Sequence, residues 1–183
     1  MSEKEKMIAN QMYNPMDNEL LNDRIRVKLL CQEYNALKYD EFDKRKELIA
    51  KIINTKTQNF LIEQPFMCDY GYNITIGDNF YSNHYLTILD CAKVEIGNNV
   101  FIGPNCNIYC AEHPLDKDER RKGLEFSKPV VIKDDVWIGG NVTIVSGVTI
   151  GSDCVIGANS TVTKSIPDNC VAVGSPCKII KKL

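Results

Sequence analysis

The most restrictive feature of this sequence is a repeat of six residues. Each copy begins with an aliphatic residue that is usually followed by glycine, then two polar or small residues, a small or apolar residue and a free position. Four copies stand back to back over residues 138–161. A period of six fits neither the 3.6-residue stripe of an amphipathic helix nor the strict alternation of a strand. The copies begin at Ile76, Ile96, Ile102, Ile138, Ile144, Ile150 and Ile156.

A six-residue unit of this kind is one short strand followed by a corner. Glycine and asparagine supply the unusual backbone angles that a corner needs. Three units close a triangular coil, and the aliphatic residues of successive coils stack in its interior. We therefore predict a mainly β fold, the left-handed parallel β-helix. Its hand departs from the usual right-handed crossover, so the repeat itself carries the prediction.

Residues 1–57 lack the repeat and are predicted to form a short helical cap in front of the coil. Ser2 and Glu5 have the spacing of a capping box, and Pro15 is expected to end the first helix. Asp17 can cap a second helix, and a third is expected from Asp40. The apolar positions are Leu21, Ile25 and Leu29 in the second helix and Phe42, Leu48, Ile49, Ile52 and Ile53 in the third.

The repeat is interrupted once. Ile108 ends one run of copies and Ile132 opens the next, which leaves an inserted loop at about residues 109–131. Insertions in a solenoid protrude from its body, and long loops in compact folds are often functional. His113 lies near the start of this loop, where Pro114 restrains the backbone before it.

Charge, composition and cysteine usage narrow the possible partners. The 183 residues carry a formal net charge of −2, so no basic excess favours binding to nucleic acid or an anionic membrane. The start of the sequence lacks the apolar core of a signal peptide, and no apolar run approaches the ~20 residues of a membrane span. We expect a cytoplasmic protein whose eight cysteines, with no CxxC pair, are reduced and mostly buried.

Only two histidines are present, His84 and His113. Histidine is the natural general base near neutral pH, and the loop position favours His113 for that role. A structural role is favoured for His84. Zinc enzymes that share the β-helix, the γ-class carbonic anhydrases, need three histidine ligands per metal, so two histidines argue against that class, and no metal is expected.

Several segments outside the plain repeat resemble the maltose and galactoside O-acetyltransferases. The resemblance runs from about Glu5 to the C-terminus and includes the helical cap. It implies an acyltransferase domain over residues 58–183, acetyl-CoA as co-substrate, a small sugar as acceptor, and a homotrimer with active sites between subunits. The segments are Asp69-Tyr70-Gly71-Tyr72-Asn73-Ile74, Asn79-Phe80-Tyr81-Ser82-Asn83, Glu112-His113-Pro114-Leu115, Asp135-Val136-Trp137-Ile138-Gly139 and Val173-Gly174-Ser175-Pro176-Cys177-Lys178.

The resemblance also assigns roles to individual positions, with His113 as the catalytic base. Purely structural roles remain possible for several of these positions. Asn83 can be a corner residue of the coil, Asp69 can be a turn residue, Trp137 can pack between subunits, and the last lysines can simply be solvated. Positions expected to bind the acceptor are Asn83, Asp69, Tyr81, Glu125, Arg24 and Asp17. Positions expected along the coenzyme groove are Trp137, Gly140, Ala158, Thr163, Lys164, Lys178 and Lys181.

Departures from the family pattern leave the acceptor open. The galactoside enzymes usually carry serine where this chain has Asp69, and Cys91 follows Asp90 where related chains can have a second aspartate. Lys178 and Lys181 replace the frequent arginine, which keeps the charge but loses the bidentate fork. Direct transfer to a sugar hydroxyl is the leading hypothesis. The alternatives are another small hydroxyl acceptor, such as an antibiotic, another glycan or serine, and a non-catalytic β-helix scaffold.

Overall fold

The computed structural model describes residues 1–183, and three helices precede the first strand: α1 (Glu3–Ile8), α2 (Asn18–Ala36) and α3 (Phe42–Ile52). The predicted capping box of α1 is present, because Ser2 and Glu5 exchange side-chain bonds with each other's backbone N–H. Pro15 does not end α1. The helix ends at Ile8, and Asn10 then adopts a positive φ of 56°, which turns the chain out of the helix.

The side of α2 that faces the core differs from the predicted one. The helix packs against the strand Phe66–Cys68, and its buried residues are Leu20, Val27, Cys31 and Tyr34. The predicted stripe was wrong, since Ile25 and Leu29 are 49% and 61% exposed. Apolar residues lie on two sides of α2, so spacing along the helix could not show which side would dock.

The coil consists of three parallel sheets, and each of its about six turns adds strands to them in order, which confirms the predicted left-handed β-helix. The first sheet holds β1 (Phe60–Ile62), β4 (Phe80–Ser82), β7 (Phe101–Ile102), β12 (Trp137–Ile138), β15 (Val155–Ile156) and β17 (Cys170–Val173), with antiparallel β18 (Lys178–Lys182) at its end. The second holds β2 (Phe66–Cys68), β5 (Leu86–Leu89), β8 (Asn107–Tyr109), β13 (Thr143–Ile144) and β16 (Thr161–Val162). The third holds β3 (Ile74–Ile76), β6 (Val94–Ile96), β11 (Val130–Ile132) and β14 (Thr149–Ile150).

The repeat explains both the interior and the corners of the coil. Its aliphatic residues are buried in register, as where Ile108 pairs with Ile144 and Ile144 with Val162. Corners place asparagine or aspartate at positive φ, a conformation that these short polar side chains tolerate. Successive corners lie so close that a Cβ on Gly139 would be 2.6 Å from the backbone nitrogen of Ala158.

The insertion, residues 110–129 between β8 and β11, is slightly shorter than the predicted 109–131. Tyr109 still belongs to β8, and Val130 and Val131 belong to β11. The insertion contains β9 (Ala111–Glu112), α4 (Lys117–Arg120) and β10 (Phe126–Ser127), and β9 and β10 pair as an antiparallel hairpin. None of the helices in the structure has the length and apolarity that crossing a membrane requires.

Candidate active site

His113 follows β9 in the insertion and is 53% exposed. Its Nδ1 lies 3.1 Å from the carbonyl oxygen of Leu124. A carbonyl can only accept, so Nδ1 carries the proton and donates it to this bond. In the neutral ring, Nε2 is then left with a free lone pair, which is the tautomer that a general base requires.

Glu125, next to Leu124, provides the nearest charge to this lone pair. Its Oε1 lies 3.8 Å from His113 Nε2, and its Oε2 accepts a 2.7 Å hydrogen bond from the Tyr13 hydroxyl. Leu124 therefore accepts the hydrogen bond from Nδ1 of the imidazole, and the adjacent Glu125 lies near Nε2. A carboxylate at this distance stabilises the imidazolium that forms when the ring accepts a proton.

Beside Glu125, a cavity of about 210 Å³ opens between the insertion, α2 and the first turn of the coil. It contains three of the predicted acceptor residues, Arg24, Asp69 and Glu125. Arg24 comes from α2 and Asp69 follows β2, so the docking of the cap on the coil creates this cavity. The remaining lining residues are Pro15, Met16, Lys28, Tyr70 and Cys91.

The cavity balances two cations against two carboxylates. Arg24 donates a 2.6 Å hydrogen bond to the Tyr70 hydroxyl, and Lys28 Nζ lies 3.7 Å from Asp69 Oδ1. Burial raises the pKa of Asp69, although the charges of Lys28 and Arg24 oppose that effect. A charge-balanced lining with several donors and acceptors suits a neutral polyhydroxyl ligand.

Asp90 is buried and binds the backbone of two residues that line the cavity. Its Oδ1 accepts hydrogen bonds from the backbone N–H groups of Asp69 and Tyr70, at 3.0 and 2.8 Å. Its Oδ2 is buried without a partner. Burial raises the pKa of Asp90 to about 7, although the two backbone N–H groups favour its charged form.

Asp17 is not among the residues that line this cavity within one chain. Its carboxylate accepts a hydrogen bond from the backbone N–H of Glu19 and caps α2. Pro15 and Met16 line the cavity in that region instead. The predicted cap at Asp17 is therefore confirmed, and its contact with the acceptor stays a prediction.

Tyr81 and Asn83 are also absent from the cavity and lie on the first sheet and its following corner. The Asn83 side-chain oxygen accepts a 2.7 Å hydrogen bond from the backbone N–H of His84, as a corner residue would. Tyr81 belongs to a row of outward-facing residues in register across the first sheet, which we call the outer ladder. The outer ladder consists of Leu61, Tyr81, Phe101, Trp137, Val155 and Val171.

Most residues predicted for the coenzyme lie on the first sheet or its following corner, whereas Thr163 and Lys164 follow β16 of the second sheet. Trp137 in the outer ladder is 59% exposed. Gly140 and Ala158 occupy equivalent corner positions on successive turns, with the Asn159 N–H donating to the Gly140 carbonyl at 3.0 Å. Small side chains keep this corner low enough for an extended molecule to lie against it. Thr163, Lys164, Lys178 and Lys181 are all exposed near the same end of the coil.

Cys91 at the cavity and Cys110 in the insertion show no sign of thiol activation. All eight cysteines are buried and free, as predicted from the sequence. Burial raises the pKa of Cys91 and of Cys110 to about 12, the opposite of thiol activation. No group of three or more histidine, cysteine, aspartate or glutamate side chains is placed to hold a metal ion.

Sequence reasoning missed Lys28 and Tyr13. Lys28 follows Arg24 by four residues on α2, so helical spacing alone could have placed both on one face. Tyr13 carried no such signal, since its partner Glu125 is 112 positions away in the sequence.

Comparison with known proteins agrees with these observations. The maltose acetyltransferase hexapeptide capping motif matches residues 6–56, and the bacterial transferase hexapeptide, a run of six repeats, matches residues 129–164. A maltose O-acetyltransferase from Clostridium difficile 630 is 46% identical, with a TM-score of 0.99 over 100% of this chain and 98% of its own. A galactoside acetyltransferase in complex with coenzyme A is 41% identical, with a TM-score of 0.95 over 100% and 91%.

A third similar structure is the hexapeptide-repeat acetyltransferase of Vibrio cholerae O1 biovar eltor in complex with acetyl coenzyme A. It is 37% identical, with a TM-score of 0.92 over 100% of this chain and 99% of its own. Fold and site thus define a hexapeptide-repeat acyltransferase. More particularly, the chain belongs to the acetyltransferases of the maltose and galactoside O-acetyltransferase type.

Proposed function

We propose that this enzyme transfers the acetyl group of acetyl-CoA to a hydroxyl of a small sugar, with His113 as the general base. The observation that carries the proposal is the hydrogen bond from His113 Nδ1 to the Leu124 carbonyl, because it leaves Nε2 as the free acceptor. The base also stands beside a polar cavity to which it is joined through Glu125.

The chemistry is a direct transfer without an acyl-enzyme. The acceptor hydroxyl gives its proton to His113 Nε2 as its oxygen attacks the thioester carbonyl carbon. The carbon–sulfur bond then breaks, and the departing thiolate takes the proton back from the imidazolium. General-base assistance of this kind contributes about 10²–10⁴-fold to the rate. Glu125 supports the step by stabilising the transient imidazolium.

A neutral sugar is the acceptor that suits the cavity best. Two carboxylates and two cations leave no net charge to attract an ionic ligand, and each group can bond to hydroxyls. Serine carries an ammonium and a carboxylate, and many antibiotics carry several cations. Asp69 and Lys28 already pair with each other at 3.7 Å, so they offer hydroxyls a preorganised pair of acceptor and donor.

The coenzyme is expected on the side of the coil that carries Trp137, Gly140 and Ala158. Its support is the narrow, exposed corner beside an exposed tryptophan, together with the coenzyme complexes of the two similar enzymes. Lys178 in β18, at the end of the first sheet, and Lys164, which follows β16, are exposed cations near this end of the coil that can bind phosphate groups. Titration with acetyl-CoA is expected to change the fluorescence of Trp137, the only tryptophan. A flat titration at millimolar coenzyme would favour the scaffold alternative.

The active site is completed by a second copy of the chain in a homotrimer. Within one chain, His113 lies in the insertion and the cavity lies between the insertion, the cap and the first turn of the coil, whereas Tyr81, Asn83 and Trp137 lie on the first sheet or its following corner. The outer ladder also leaves apolar surface uncovered, with Phe101 42% and Trp137 59% exposed. An exposed apolar row of this kind marks an interface, and neighbouring subunits would bring the two halves of the site together.

An acceptor panel tests the reaction directly. The purified enzyme is incubated with acetyl-CoA and, separately, glucose, maltose, a galactoside, serine and an aminoglycoside, and thiol release is followed. At least one neutral sugar is expected to give the highest kcat/KM. Turnover of serine or the aminoglycoside with none of the sugars would contradict the sugar assignment. Acetyl-CoA binding without turnover of any acceptor would contradict the catalytic proposal.

Light scattering tests the assembly. The expected mass is three times the chain mass of 20.7 kDa. Trp137→Glu, which places a charge in the outer ladder, is expected to yield smaller species with little activity, and Lys122→Glu on the exposed insertion serves as the control. A fully active monomer would refute a site shared between subunits.

A further inference from the structure

We propose that Tyr13 is a positioning residue of this active site, and that its hydroxyl fixes the carboxylate of Glu125 beside His113. The inference rests on the proposed function, because it needs His113 as the base. It assigns to the N-terminal segment, which lies outside the coil and the insertion, a direct influence on the acid–base group.

The first observation is the contact itself. Tyr13 is 1% exposed, and its hydroxyl donates to Glu125 Oε2 at 2.7 Å. The two backbones also pair, with Tyr13 N–H donating to the Glu125 carbonyl at 2.9 Å and Glu125 N–H to the Tyr13 carbonyl at 3.0 Å. Three hydrogen bonds thus tie one residue of the insertion to one residue of the cap. No other pair of residues between the N-terminal segment and the insertion is joined by three hydrogen bonds.

The second observation is what Glu125 faces with its other oxygen. Oε1 lies 3.8 Å from His113 Nε2, the atom that receives the proton. The preceding residue, Leu124, accepts the hydrogen bond from His113 Nδ1. Residues 124 and 125 therefore orient both nitrogens, and the Tyr13 backbone holds the strand-like segment in which they stand. A displacement of Glu125 would therefore change the distance between its carboxylate and His113 Nε2, and with it the stabilisation of the imidazolium.

The third observation is that the Tyr13 hydroxyl is buried in a specific place. The ring packs in a separate small cluster with Met7, Leu20, Tyr70 and Cys91. Burial, with further contributions from Cys91 and Glu125, raises the pKa of Tyr13, so the hydroxyl remains a donor throughout the working pH range. A buried hydroxyl needs a partner, and the one it has is a carboxylate, which makes the stronger class of hydrogen bond.

Removal of the hydroxyl should therefore act on kcat through Glu125. Tyr13→Phe keeps the ring and both backbone bonds but frees Oε2. We expect kcat to fall roughly tenfold, the usual scale for losing one hydrogen bond to a charged group, while KM for acetyl-CoA stays unchanged. Tyr34→Phe is the matched control, because Tyr34 is equally buried at 1% and its hydroxyl donates to the backbone carbonyl of Ile62.

A double-mutant cycle separates positioning from mere packing. Turnover of acetyl-CoA with the best sugar of the panel is measured for Tyr13→Phe, Glu125→Gln and the double variant, with His113→Ala as reference and thermal unfolding of each as a folding check. If the hydroxyl acts through the carboxylate, Tyr13→Phe lowers kcat in the native background but adds little once Glu125 is glutamine.

The outcomes keep the two proposals distinguishable. An equal loss in both backgrounds, or a normal kcat in Tyr13→Phe while His113→Ala is inactive, would overturn the positioning role and leave the proposed function standing. A normal kcat in His113→Ala would refute the proposed function, and the role of Tyr13 with it.

Discussion

The coil and the insertion obtain their structures in opposite ways. In the coil, each residue meets its equivalent from the turns before and after, so that one pattern of six is satisfied many times over. In the insertion, residues 110–129, no contact repeats along the chain: some contacts lie within the insertion and others reach the cap or the coil. Glu125 bonds to Tyr13 of the cap, and Glu112 accepts hydrogen bonds from Ser146 of the coil and, at 3.0 Å, from Lys128.

The two regions therefore contribute differently: the coil provides most of the packing, and the insertion carries the candidate base. The coil interior is a continuous apolar cluster, whereas the short helix of the insertion buries none of its residues. The candidate base lies in the insertion and is half exposed, so its replacement removes little packing. The candidate base thus lies on a segment that contributes little to the packing of the coil.

Truncation of the coil interior should give the largest change in stability. Ile144 is 1% exposed and lies between Ile108 and Val162 in the stack, so Ile144→Ala leaves a cavity in a packed column. We expect a loss of about 4 kcal/mol in the free energy of unfolding, measured by urea denaturation at one protein concentration. Arg121→Ala on the insertion should cost less than about 0.5 kcal/mol. Similar losses of unfolding free energy in both variants would contradict the claim that the coil, rather than the insertion, provides the stability.

Substitution of one glycine in the coil and one in the insertion compares how tightly the backbone is packed in the two regions. A Cβ on Gly139 would lie 2.6 Å from the Ala158 nitrogen, whereas one on Gly123 in the insertion would meet no atom within 4 Å. Gly139→Ala should cost about 3 kcal/mol through overpacking. Gly123→Ala should cost only about 1 kcal/mol, the strain of alanine at φ +71°. Melting temperatures of the two variants give the comparison, and the reverse order would refute it.

The same difference explains which parts of the fold could be predicted from the sequence. The period of six predicted the coil and its buried isoleucines, because every turn repeats the same requirement. It could not predict which face of α2 would dock, since Leu20 and Leu21 are both apolar and only the coil surface selects between them. The bounds of the insertion were predicted to within two residues, because the repeat stops and restarts visibly.

The candidate site was less predictable for the same reason. Arg24, Asp69 and Glu125 were expected at the acceptor and meet in one cavity, although they come from three separate regions of the chain. Asp17 caps α2 and lies outside the lining of this cavity, and its contact with the acceptor stays a prediction. Lys28 was missed although it follows Arg24 by one helical turn, whereas Tyr13 could not be predicted, because its role depends on how the cap meets the insertion.

A smaller effect should appear in the pH dependence of stability. The folded chain raises the pKa of Asp90 to about 7, above an ordinary aspartate value of about 3.9. The native state therefore binds this proton more tightly, so the contribution is complete below about pH 4 and is lost as the pH rises through 7. Between pH 5 and pH 8 the free energy of unfolding should fall by roughly 2.5 kcal/mol from this group.

Asp90→Asn is the variant that isolates this group. The amide oxygen can keep the hydrogen bonds from the backbone N–H groups of Asp69 and Tyr70, while the titrating proton is gone. Urea denaturation at pH 5 and pH 8 should show a smaller difference between the two pH values than in the native enzyme. An unchanged difference would mean that another group is responsible.

The central claim, that the insertion supplies the base and the coil supplies the stability, is tested most directly by kcat for His113→Ala at the pH optimum, with His84→Ala as the matched control. We predict that His113→Ala lowers kcat at least about 100-fold, while its melting temperature and its Kd for acetyl-CoA stay at the native values. His84→Ala should retain most of its activity at matched folding. If His113→Ala keeps more than about a tenth of native kcat while chemistry limits the rate, histidine is not the base and the account is wrong.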